Sequence, residues 1–536
     1  MRKKAIKSHS FGERIFRFFL YAASGALTAL PLVFPVLWFI GWVAPAPVLY
    51  CELYKKPPKD TYIRSYFRGM SFFWFFGVLI FHWFFGLYPL DFLGFESTDA
   101  MITVLLASLG IPLLQALVSS LIFVGLAFIR KSDSLSRHPL LSGIFCASLF
   151  ASGEYMHTLT PFGVPWGRLA VGQTGWLPII QSISLFGSYF ITFLMILFVF
   201  LTVRAFAEHK GGNKKKAIVS LSIALFIFFS NITFGCVKMA IPEKNTDTVN
   251  VAAVQGNIRF EDKWADKAAH TMDIYGQLTE ECSNNGAELI IWPETALPYD
   301  MTESYRMENY FSELGKAVNC EVIVTCFESD KNGVYNTARL VTADGTIDDT
   351  VYKKRHLVPF GEYIPLEGFV TAVFPPLTEL CSTMEQITPG SETEIIETKN
   401  GKLGMLICFD SIYEDLCRQS SNDGAELIAI STNDSWFTGT CALQQHNAQA
   451  RLRAVENGRY IVRSANTGIS SVISPTGEIT DALEENREGY VVSSVRFIKE
   501  KTLYTVTGNV FLLLCFLYLP LFVLYVLIDK KKRKKK

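Results

Sequence analysis

Long apolar runs dominate the first 240 residues of the chain and return near its C-terminal end. The three longest contain no charged residue over 29, 30 and 26 positions: Met101–Ile129, Thr174–Val203 and Leu503–Ile528. A helix needs only ~20 apolar residues to cross a bilayer, so each predicts a membrane span. Three shorter runs predict further spans: Gly69–Leu90, Pro139–Glu154 and Ala217–Val237.

The segment Phe18–Cys51 is uncharged over 34 residues, which is too long for one upright span. Pro31 and Pro35 lie in its middle, and proline interrupts a helix. The segment therefore predicts a tight hairpin of two short spans. This brings the predicted number of spans to eight.

From Thr248 onwards, short apolar segments alternate with turns and amphipathic stretches. Stretches 266–283 and 444–457 predict helices, and 343–346 and 475–478 predict hairpin turns. Five segments predict buried strands: 249–255, 287–292, 321–327, 403–408 and 425–431. The pattern indicates a layered α/β domain of about 250 residues, large enough for one core.

Two segments of this domain have similar sequences, which we call a weak internal echo. SNNGAELIIWPE at 283–294 and SNDGAELIAIST at 421–432 each lead from a helix end through glycine into a strand. The echo suggests two similar halves, with chance similarity between αβ units as the alternative.

Composition and charge set the orientation. Charged residues are only 19% of the chain and apolar residues 50%, which excludes a disordered or purely cytosolic protein. Residues 237–502 carry 23 Lys and Arg against 40 Asp and Glu. With eight spans, the flanks on one side carry 26 basic residues and the short loops on the other carry only Arg168. The positive-inside rule then predicts that both termini are cytoplasmic and that 237–502 faces outward.

These patterns predict four parts: membrane helices 1–7 over 1–240, a catalytic domain over 246–497, membrane helix 8 over 503–529, and a basic cytoplasmic tail over 530–536. The tail directly follows a span, so it is interpreted as an anchor beside anionic lipid and not as a nucleic-acid-binding segment. The 11 cysteines include no CxxC pair, so the sequence indicates neither a zinc site nor a disulfide framework. No metal or cofactor is predicted.

Candidate catalytic residues lie at the ends of three predicted strands. Side chains at the strand ends of an α/β sheet project into a shared crevice. Glu294 follows IIWP, Lys353 and Lys354 lie in TVYKKRHLVPFGE, and Cys408 ends GMLIC. A thiolate can attack a carbonyl carbon, a carboxylate can take the thiol proton, and an ammonium can stabilise the oxyanion. Each residue type alone is weak evidence, since most lysines are at the surface and most buried cysteines are inert.

Together the motifs resemble those of a known family. QGNI, WPETALP, HLVPFGEYIP, LICFDSIYED, STNDSWF and RAVENGRYIVRSANTG, set among the apolar runs, are similar to motifs of the apolipoprotein N-acyltransferase family. Those proteins are membrane-embedded members of the nitrilase, or carbon-nitrogen hydrolase, superfamily. The resemblance covers essentially the whole chain and implies an α-β-β-α sandwich beside a polytopic helical bundle of about eight spans.

The resemblance also implies residue roles. Glu294 would be the general base, Lys354 the oxyanion lysine and Cys408 the nucleophile; Lys354 is preferred to Lys353 because the family's lysine lies eight residues before the PFGE glutamate, here Glu362. Five further site residues are expected: Glu362 to orient the lysine, Trp264 and Trp436 to line an acyl pocket, Asn433 to bind substrate, and Asp410 beside the nucleophile. The family usually has Tyr then Glu after the nucleophile, whereas this chain has Phe409 and Asp410. Ring stacking survives that change, but the shorter carboxylate has less reach.

The implied reaction moves the sn-1 acyl chain of a phospholipid through a Cys408 thioester to the α-amino group of an S-diacylglyceryl cysteine in an apolipoprotein. The expected partners are phospholipid and diacylglyceryl-apolipoproteins, and no nucleic acid is expected to bind. The expected location is a bacterial cytoplasmic membrane, with the catalytic domain on its outer side. The oligomeric state stays open.

Two alternatives remain from the sequence: a membrane-tethered nitrilase-type amidase, and a catalytically silent membrane scaffold. The apolar stretch Pro365–Pro376 also has two interpretations, a packed connector or a lid that dips into lipid.

Overall fold

The computed structural model describes residues 11–55, 61–90, 97–159, 163–242, 247–259, 268–302, 305–373 and 386–534. The chain divides into two compact units. The membrane unit comprises 1–85, 104–240 and 509–536, and the α/β unit comprises 86–103 and 241–508. Trp264 lies outside the described residues.

Within the described residues, six helical stretches are long and apolar enough to cross a membrane: Gly12–Val33, Pro35–Tyr54, Ser97–Lys131, Tyr189–Lys210, Lys214–Ala240 and Val510–Lys534. Two further helices, Tyr62–Ile80 and Pro139–Tyr155, lie at the remaining predicted spans. Shorter helical segments are His82–Leu87, Ser134–Arg137, Met156–Thr158, Val171–Gln173, Leu177–Ile180 and Ile183–Phe186. The eight longer stretches agree with the predicted polytopic bundle.

The N-terminal hairpin breaks at one residue. The first helix, Phe11–Val33, continues through Pro31, and the chain leaves helical geometry at Phe34 with φ −126° and ψ 86°. A 3₁₀ segment Pro35–Trp42 and a helix Ala46–Tyr54 form the second arm. Two arms were predicted and are present, but Pro31 does not interrupt the helix, which continues two residues beyond it to Val33.

Two predicted spans begin later than their apolar runs suggest. The run Thr174–Val203 becomes a long helix only at Tyr189, because Gly187 adopts φ 77° just before it. The run from Leu503 first forms the short helix Leu503–Thr507, and Gly508, at φ 61°, separates this from the helix Val510–Lys534. Apolarity predicts burial in lipid or protein, and a glycine with positive φ decides where the helix starts.

The membrane unit contains a buried ion cluster that the apolar pattern does not reveal. Glu52, only 1% exposed, accepts hydrogen bonds from Arg130 at 3.0 Å and Tyr21 at 2.5 Å, and pairs with Arg68. These four residues come from four different helices. The cluster therefore cross-links the bundle near the ends of its spans, where paired charges cost least.

The α/β unit contains two six-stranded sheets. Its strands are β1 Val249–Gln255, β2 Leu289–Ile291, β3 Glu321–Asp330, β4 Gly333–Val341, β5 Ile347–Lys353, β6 Ile395–Thr398, β7 Gly401–Ile407, β8 Leu427–Thr432, β9 Ile461–Ala465, β10 Ser470–Ile473, β11 Ile479–Leu483 and β12 Gly489–Val495. The sheet orders are β12-β1-β2-β3-β4-β5 and β11-β10-β9-β8-β7-β6. In each, three central strands are parallel and two antiparallel strands follow. This shared order is what the internal echo predicted.

The sheets pack face to face, with helices outside. On β1, Val251 and Ala253 face a core shared with residues of the second sheet such as Met405, whereas Ala252 and Val254 face a core shared with the helices. The helices of this unit are Ala268–Asn284, Tyr305–Val318, Glu367–Val373, Glu414–Asn422 and Ala442–Asn457, with 3₁₀ turns at Cys408–Ile412 and Ser435–Phe437. Side chains alternate along each strand, so one set is buried between the two sheets and the other is buried under the helices. The result is an α-β-β-α sandwich.

Candidate active site

Cys408 stands at a sharp turn immediately after β7. It adopts φ 49°, in the left-handed region, and begins the 3₁₀ turn Cys408–Ile412. A non-glycine residue pays ~1–2 kcal/mol for this conformation. The turn resembles the nucleophile elbow of hydrolases, where a strained strand end holds a side chain out of the sheet. The residue is 8% exposed, so its surroundings and not bulk water determine its reactivity.

Glu294 follows β2 of the other sheet and is held by three donors. Its Oε1 accepts hydrogen bonds from Lys354 Nζ at 2.8 Å and Asn336 Nδ2 at 2.9 Å. Its Oε2 accepts one from the backbone N–H of Asn433 at 3.0 Å. A carboxylate fixed by three donors keeps one orientation, as a positioned proton acceptor requires.

Lys354 lies just beyond β5, 1% exposed, between two carboxylates. Its Nζ is 2.8 Å from Glu294 Oε1 and 2.8 Å from Glu362 Oε1. Burial alone would lower the pKa of Lys354, but Glu294 and Glu362 raise it well above its ordinary value. The side chain is therefore an ammonium, with one N–H left beyond the two ion pairs.

The neighbouring Lys353 points elsewhere. Its Nζ donates to Asp330 at 3.0 Å and lies 3.6 Å from the centre of the Tyr335 ring. Adjacent residues of a strand face opposite sides, so only Lys354 reaches Glu294.

Glu362 completes the carboxylate pair around the lysine. Its Oε2 accepts the backbone N–H of Val358 at 2.8 Å. Burial raises the pKa of Glu362, and the Lys354 ammonium lowers it. The bond to Val358 ties the carboxylate to the loop after the lysine, which orients Lys354 from its far side.

The thiol of Cys408 is neutral in this environment. Burial raises its pKa, the charge of Glu294 raises it further, and Lys354 lowers it. Cys408 follows β7, which pairs with β8, and Glu294 accepts the N–H of Asn433 just after β8, so the nucleophile candidate and the carboxylate lie at the ends of neighbouring elements. A thiol of this kind needs a nearby base to become a nucleophile.

Asp410 is fully buried and satisfied by four donors. Its Oδ1 accepts the N–H groups of Arg355 at 3.2 Å and His356 at 2.7 Å. Its Oδ2 accepts Ile407 N–H at 3.1 Å and Tyr352 Oη–H at 2.8 Å. Burial raises the pKa of Asp410 and the His356 bond lowers it. The shorter carboxylate therefore does reach donors on both sides, and it fastens the lysine loop to the elbow.

The remaining sequence candidates lie around this group. Phe409, 7% exposed, sets its ring edge against Tyr413 with centres 5.5 Å apart. Asn433 uses its N–H on Glu294, and its side-chain Oδ1 accepts from Asn466 at 3.3 Å. Trp436 is half-buried in the turn Ser435–Phe437. Its role in lining an acyl pocket stays a prediction.

Residues 365–376 are described only as far as 373. The segment Glu367–Val373 is a short helix, and Leu366 and Phe369 are 56% and 66% exposed. Exposed large apolar side chains are expected of a lid that dips into lipid, but the lid itself stays a prediction.

Sequence reasoning missed several buried polar residues of the site. Asn336 and Tyr352 each donate to a candidate carboxylate. Asn336 lies outside the quoted motifs, and Tyr352 lies in TVYKKRHLVPFGE, where only the lysines were assigned a role. Behind Cys408, Asp434, His446 and Arg463 form a fully buried cluster. A polar residue in an otherwise apolar strand or helix is a usable signal, yet it does not name the partner. Within the described ranges, no group of three or more His, Cys, Asp or Glu side chains could hold a metal ion.

Comparisons with known proteins cover both units. Residues 250–498 match the carbon-nitrogen hydrolase family, and residues 24–201 match the apolipoprotein N-acyltransferase N-terminal domain. The apolipoprotein N-acyltransferase of Geobacter metallireducens is 28% identical over 512 residues, which cover 92% of each chain. That of Brucella suis is 30% identical over 406 residues, which cover 72% of each chain. Among solved structures, an amidase from Nesterenkonia sp. is 18% identical with a TM-score of 0.37, covering 49% of this chain and 94% of that one.

Proposed function

This chain belongs to the apolipoprotein N-acyltransferase family, and we propose that it transfers an acyl chain from a phospholipid to the α-amino group of an S-diacylglyceryl cysteine in apolipoproteins. The observation that carries the proposal is Lys354 held at 2.8 Å by both Glu294 and Glu362, together with Cys408 held in a left-handed turn directly after β7.

In the first half-reaction, Glu294 takes the proton of the Cys408 thiol as the sulfur attacks the sn-1 ester carbonyl carbon. The remaining N–H of Lys354 donates to the oxyanion that develops on the carbonyl oxygen. The C–O bond to the glycerol then breaks, and Glu294 returns the proton to the leaving alkoxide. Lysophospholipid departs and a thioester remains on Cys408.

In the second half-reaction, the α-amine of the apolipoprotein attacks the thioester. An α-amino group has a pKa of ~7.7–8.0, so a useful fraction is neutral and nucleophilic near pH 7. The amine proton passes through Glu294 to the departing sulfur, which restores the Cys408 thiol. The scheme is ping-pong, because the first product leaves before the second substrate reacts.

Both substrates are lipids, so the membrane helices would hold the enzyme at the surface where its substrates lie. We retain the predicted topology, with both termini cytoplasmic and residues 246–497 on the outer side of the bacterial cytoplasmic membrane. Confining enzyme and substrates to one surface raises their local concentration and restricts their orientation. Water must also be kept from the thioester, since hydrolysis would turn the transferase into a phospholipase.

The two alternatives fit the comparisons less well. A nitrilase-type amidase acting on a small soluble substrate has no use for the domain matched over residues 24–201. A silent scaffold needs neither a buried ammonium between two carboxylates nor a cysteine held in a left-handed conformation after a strand.

Intact-mass spectrometry of the purified full-length protein tests the proposal. After incubation with phospholipid alone, the protein should gain the mass of one fatty acyl group, and adding an apolipoprotein peptide with a diacylglyceryl cysteine should remove it. Cys408→Ala should show no gain, and Cys417→Ala, which alters a buried cysteine elsewhere in the same unit, should acylate normally. Acylation that persists in Cys408→Ala, or loss of the acyl group only as free fatty acid, would contradict the proposal.

A further inference from the structure

Behind the Cys408 elbow lies a cluster of polar side chains that does not include any of the three proposed catalytic residues. Asp434, His446 and Arg463 are 0%, 1% and 0% exposed. Asp434 Oδ1 is 3.0 Å from His446 Nδ1, and Asp434 Oδ2 accepts Arg463 Nη2 at 2.6 Å. Removing charged groups from water costs free energy, so a fully buried cluster of this kind suggests a structural or chemical role.

The cluster reaches the backbone of Cys408 through His446. Its Nε2 lies 3.0 Å from Ser411 Oγ and 3.3 Å from the carbonyl oxygen of Cys408. Ser411 Oγ–H in turn donates to that same carbonyl oxygen at 2.7 Å. Ser411 has only one hydroxyl hydrogen, so the hydrogen between Ser411 and His446 belongs to Nε2. His446 therefore acts as a donor toward the elbow.

A second link runs to the strand beside Cys408. Thr432, the last residue of β8, donates from Oγ1 to Asp434 Oδ1 at 3.0 Å. Strand β8 pairs in parallel with β7, with Ser431 opposite Ile407, so Thr432 and Cys408 stand at neighbouring positions of the two strands. Asp434 thus holds Thr432 beside the elbow and His446 on the carbonyl side of Cys408.

Ser411, His446 and Asp434 have the connectivity of a hydrolase triad, yet they cannot work as one. Ser411 is 0% exposed and already donates to a backbone carbonyl, so no substrate reaches its oxygen. Burial alone would raise the pKa of Asp434, but Arg463 and His446 hold it well below its ordinary value. The carboxylate is paired with Arg463 at 2.6 Å and its lowered pKa disfavours protonation, which makes it an anchor and not a proton acceptor.

We propose that Asp434, Arg463 and His446 form a positioning cluster that holds the carbonyl of Cys408 and the hydroxyl of Ser411, and so maintains the left-handed elbow from which the thiol attacks. This inference rests on the proposed role of Cys408 as nucleophile. The elbow carries ~1–2 kcal/mol of backbone strain, and the bonds to its carbonyl offset that cost. Without them the residue relaxes and the sulfur moves away from Glu294 and Lys354.

The test compares His446→Leu, which removes the donor, with His446→Gln, whose side-chain N–H can take the place of Nε2–H. The full-length protein is assayed with phospholipid for kcat and KM of Cys408 acylation. His446→Leu should lower kcat by roughly 10- to 100-fold, the scale of a ~1 Å displacement of a reacting atom, with KM nearly unchanged. His446→Gln should recover most of the loss.

The chain offers a matched control on the same helix. Arg453 and Glu456 form another fully buried ion pair at 2.6 Å. Glu456→Gln removes the negative charge from this pair and keeps Arg453, which donates to the carbonyl of Ile412 at 3.3 Å, in place. This control should lower thermal stability while kcat per folded molecule stays within about threefold. If His446→Leu fails to fold, Gly468→Ala replaces it, because a Cβ at Gly468 would collide with Asp434 Oδ2 and displace the anchor.

Hydrogen exchange of the peptide around residues 405–413 gives a readout that does not depend on acyl transfer. Exchange should rise in His446→Leu and stay near wild type in His446→Gln and Glu456→Gln. Wild-type kcat and exchange in a folded His446→Leu protein would overturn the proposal, as would an equal loss of kcat in Glu456→Gln. If the wild-type protein itself is not acylated, the proposed function fails, and the exchange pattern alone decides the positioning role.

Discussion

The two halves of the α/β unit share a strand order but use it for different purposes. In the first half, the chain after the central strand β2 places Glu294 2.8 Å from Lys354. In the second, the chain after the central strand β8 places Asp434 2.6 Å from Arg463. Each half thus sets a buried carboxylate against a cation at the same edge of a parallel sheet.

The two carboxylate–cation pairs differ in their surroundings. Lys354 is shared with a second carboxylate, Glu362, and its charge acts on the Cys408 thiol. Arg463 instead donates with Nη1 to the carbonyl of Ile469 at 2.6 Å and is committed to the backbone. In the proposed mechanism, the repeated scaffold provides one pair for proton transfer and another that holds the chain. Substitutions in the first pair should abolish chemistry, and equivalent substitutions in buried pairs elsewhere should not.

The largest effect is expected for Glu294→Gln. The amide keeps the shape but loses the ability to accept the thiol proton, so Cys408 acylation should fall by roughly 10³-fold, within the range for loss of a general base. Single-turnover acylation by phospholipid measures it. Glu328→Gln is the control, since Glu328 pairs with Arg339 at 2.7 Å on neighbouring strands of the same sheet. A comparable loss in both proteins would show that any buried ion pair of this sheet matters equally, and the distinction between chemical and structural pairs would fall.

Lys354→Met should come next. Losing the oxyanion donor should reduce acylation by roughly 10²- to 10³-fold. The Lys354 charge also lowers the pKa of Cys408, so its loss raises that pKa further. The thiolate fraction then falls at every pH below the new pKa, and alkylation of Cys408 by iodoacetamide should move to higher pH. Lys353→Met, adjacent but paired with Asp330, should leave both measurements within about twofold; an alkylation profile that moves to lower pH in Lys354→Met would contradict the assigned electrostatics.

The sequence predicted the parts of this comparison that leave a local pattern. Five strands, the helices near 266–283 and 444–457 and the two hairpin turns are all present, because apolar periodicity and turn residues are local signals. The choice of Lys354 over Lys353 followed from the motif spacing, and the geometry agrees with it.

The missed parts depend on residues far apart in the chain. Asn336 reaches Glu294 across 42 positions, and Arg463 reaches Asp434 across 29. Asn336 lies outside the quoted motifs; Arg463 and Asp434 each lie in one, but a motif does not say which distant residue its side chain contacts. The late helix starts at Tyr189 and Val510 were missed for another reason, since an apolar run carries no information about where a glycine adopts a positive φ.

The smallest effect is expected at Phe409, one of the two residues at which this chain departs from its family. Phe409→Tyr restores the usual ring type next to the nucleophile, and the edge contact with Tyr413 at 5.5 Å needs no hydroxyl. The elbow is fixed by Asp410, Ser411 and His446 through hydrogen bonds in which the ring of Phe409 takes no part. Acylation kcat/KM should therefore change by no more than about threefold, with unaltered thermal stability. A tenfold gain would mean that the missing hydroxyl contacts substrate or the reacting atoms, and Phe409 would then belong with the catalytic pair of the first half and not with the supporting structure of the second.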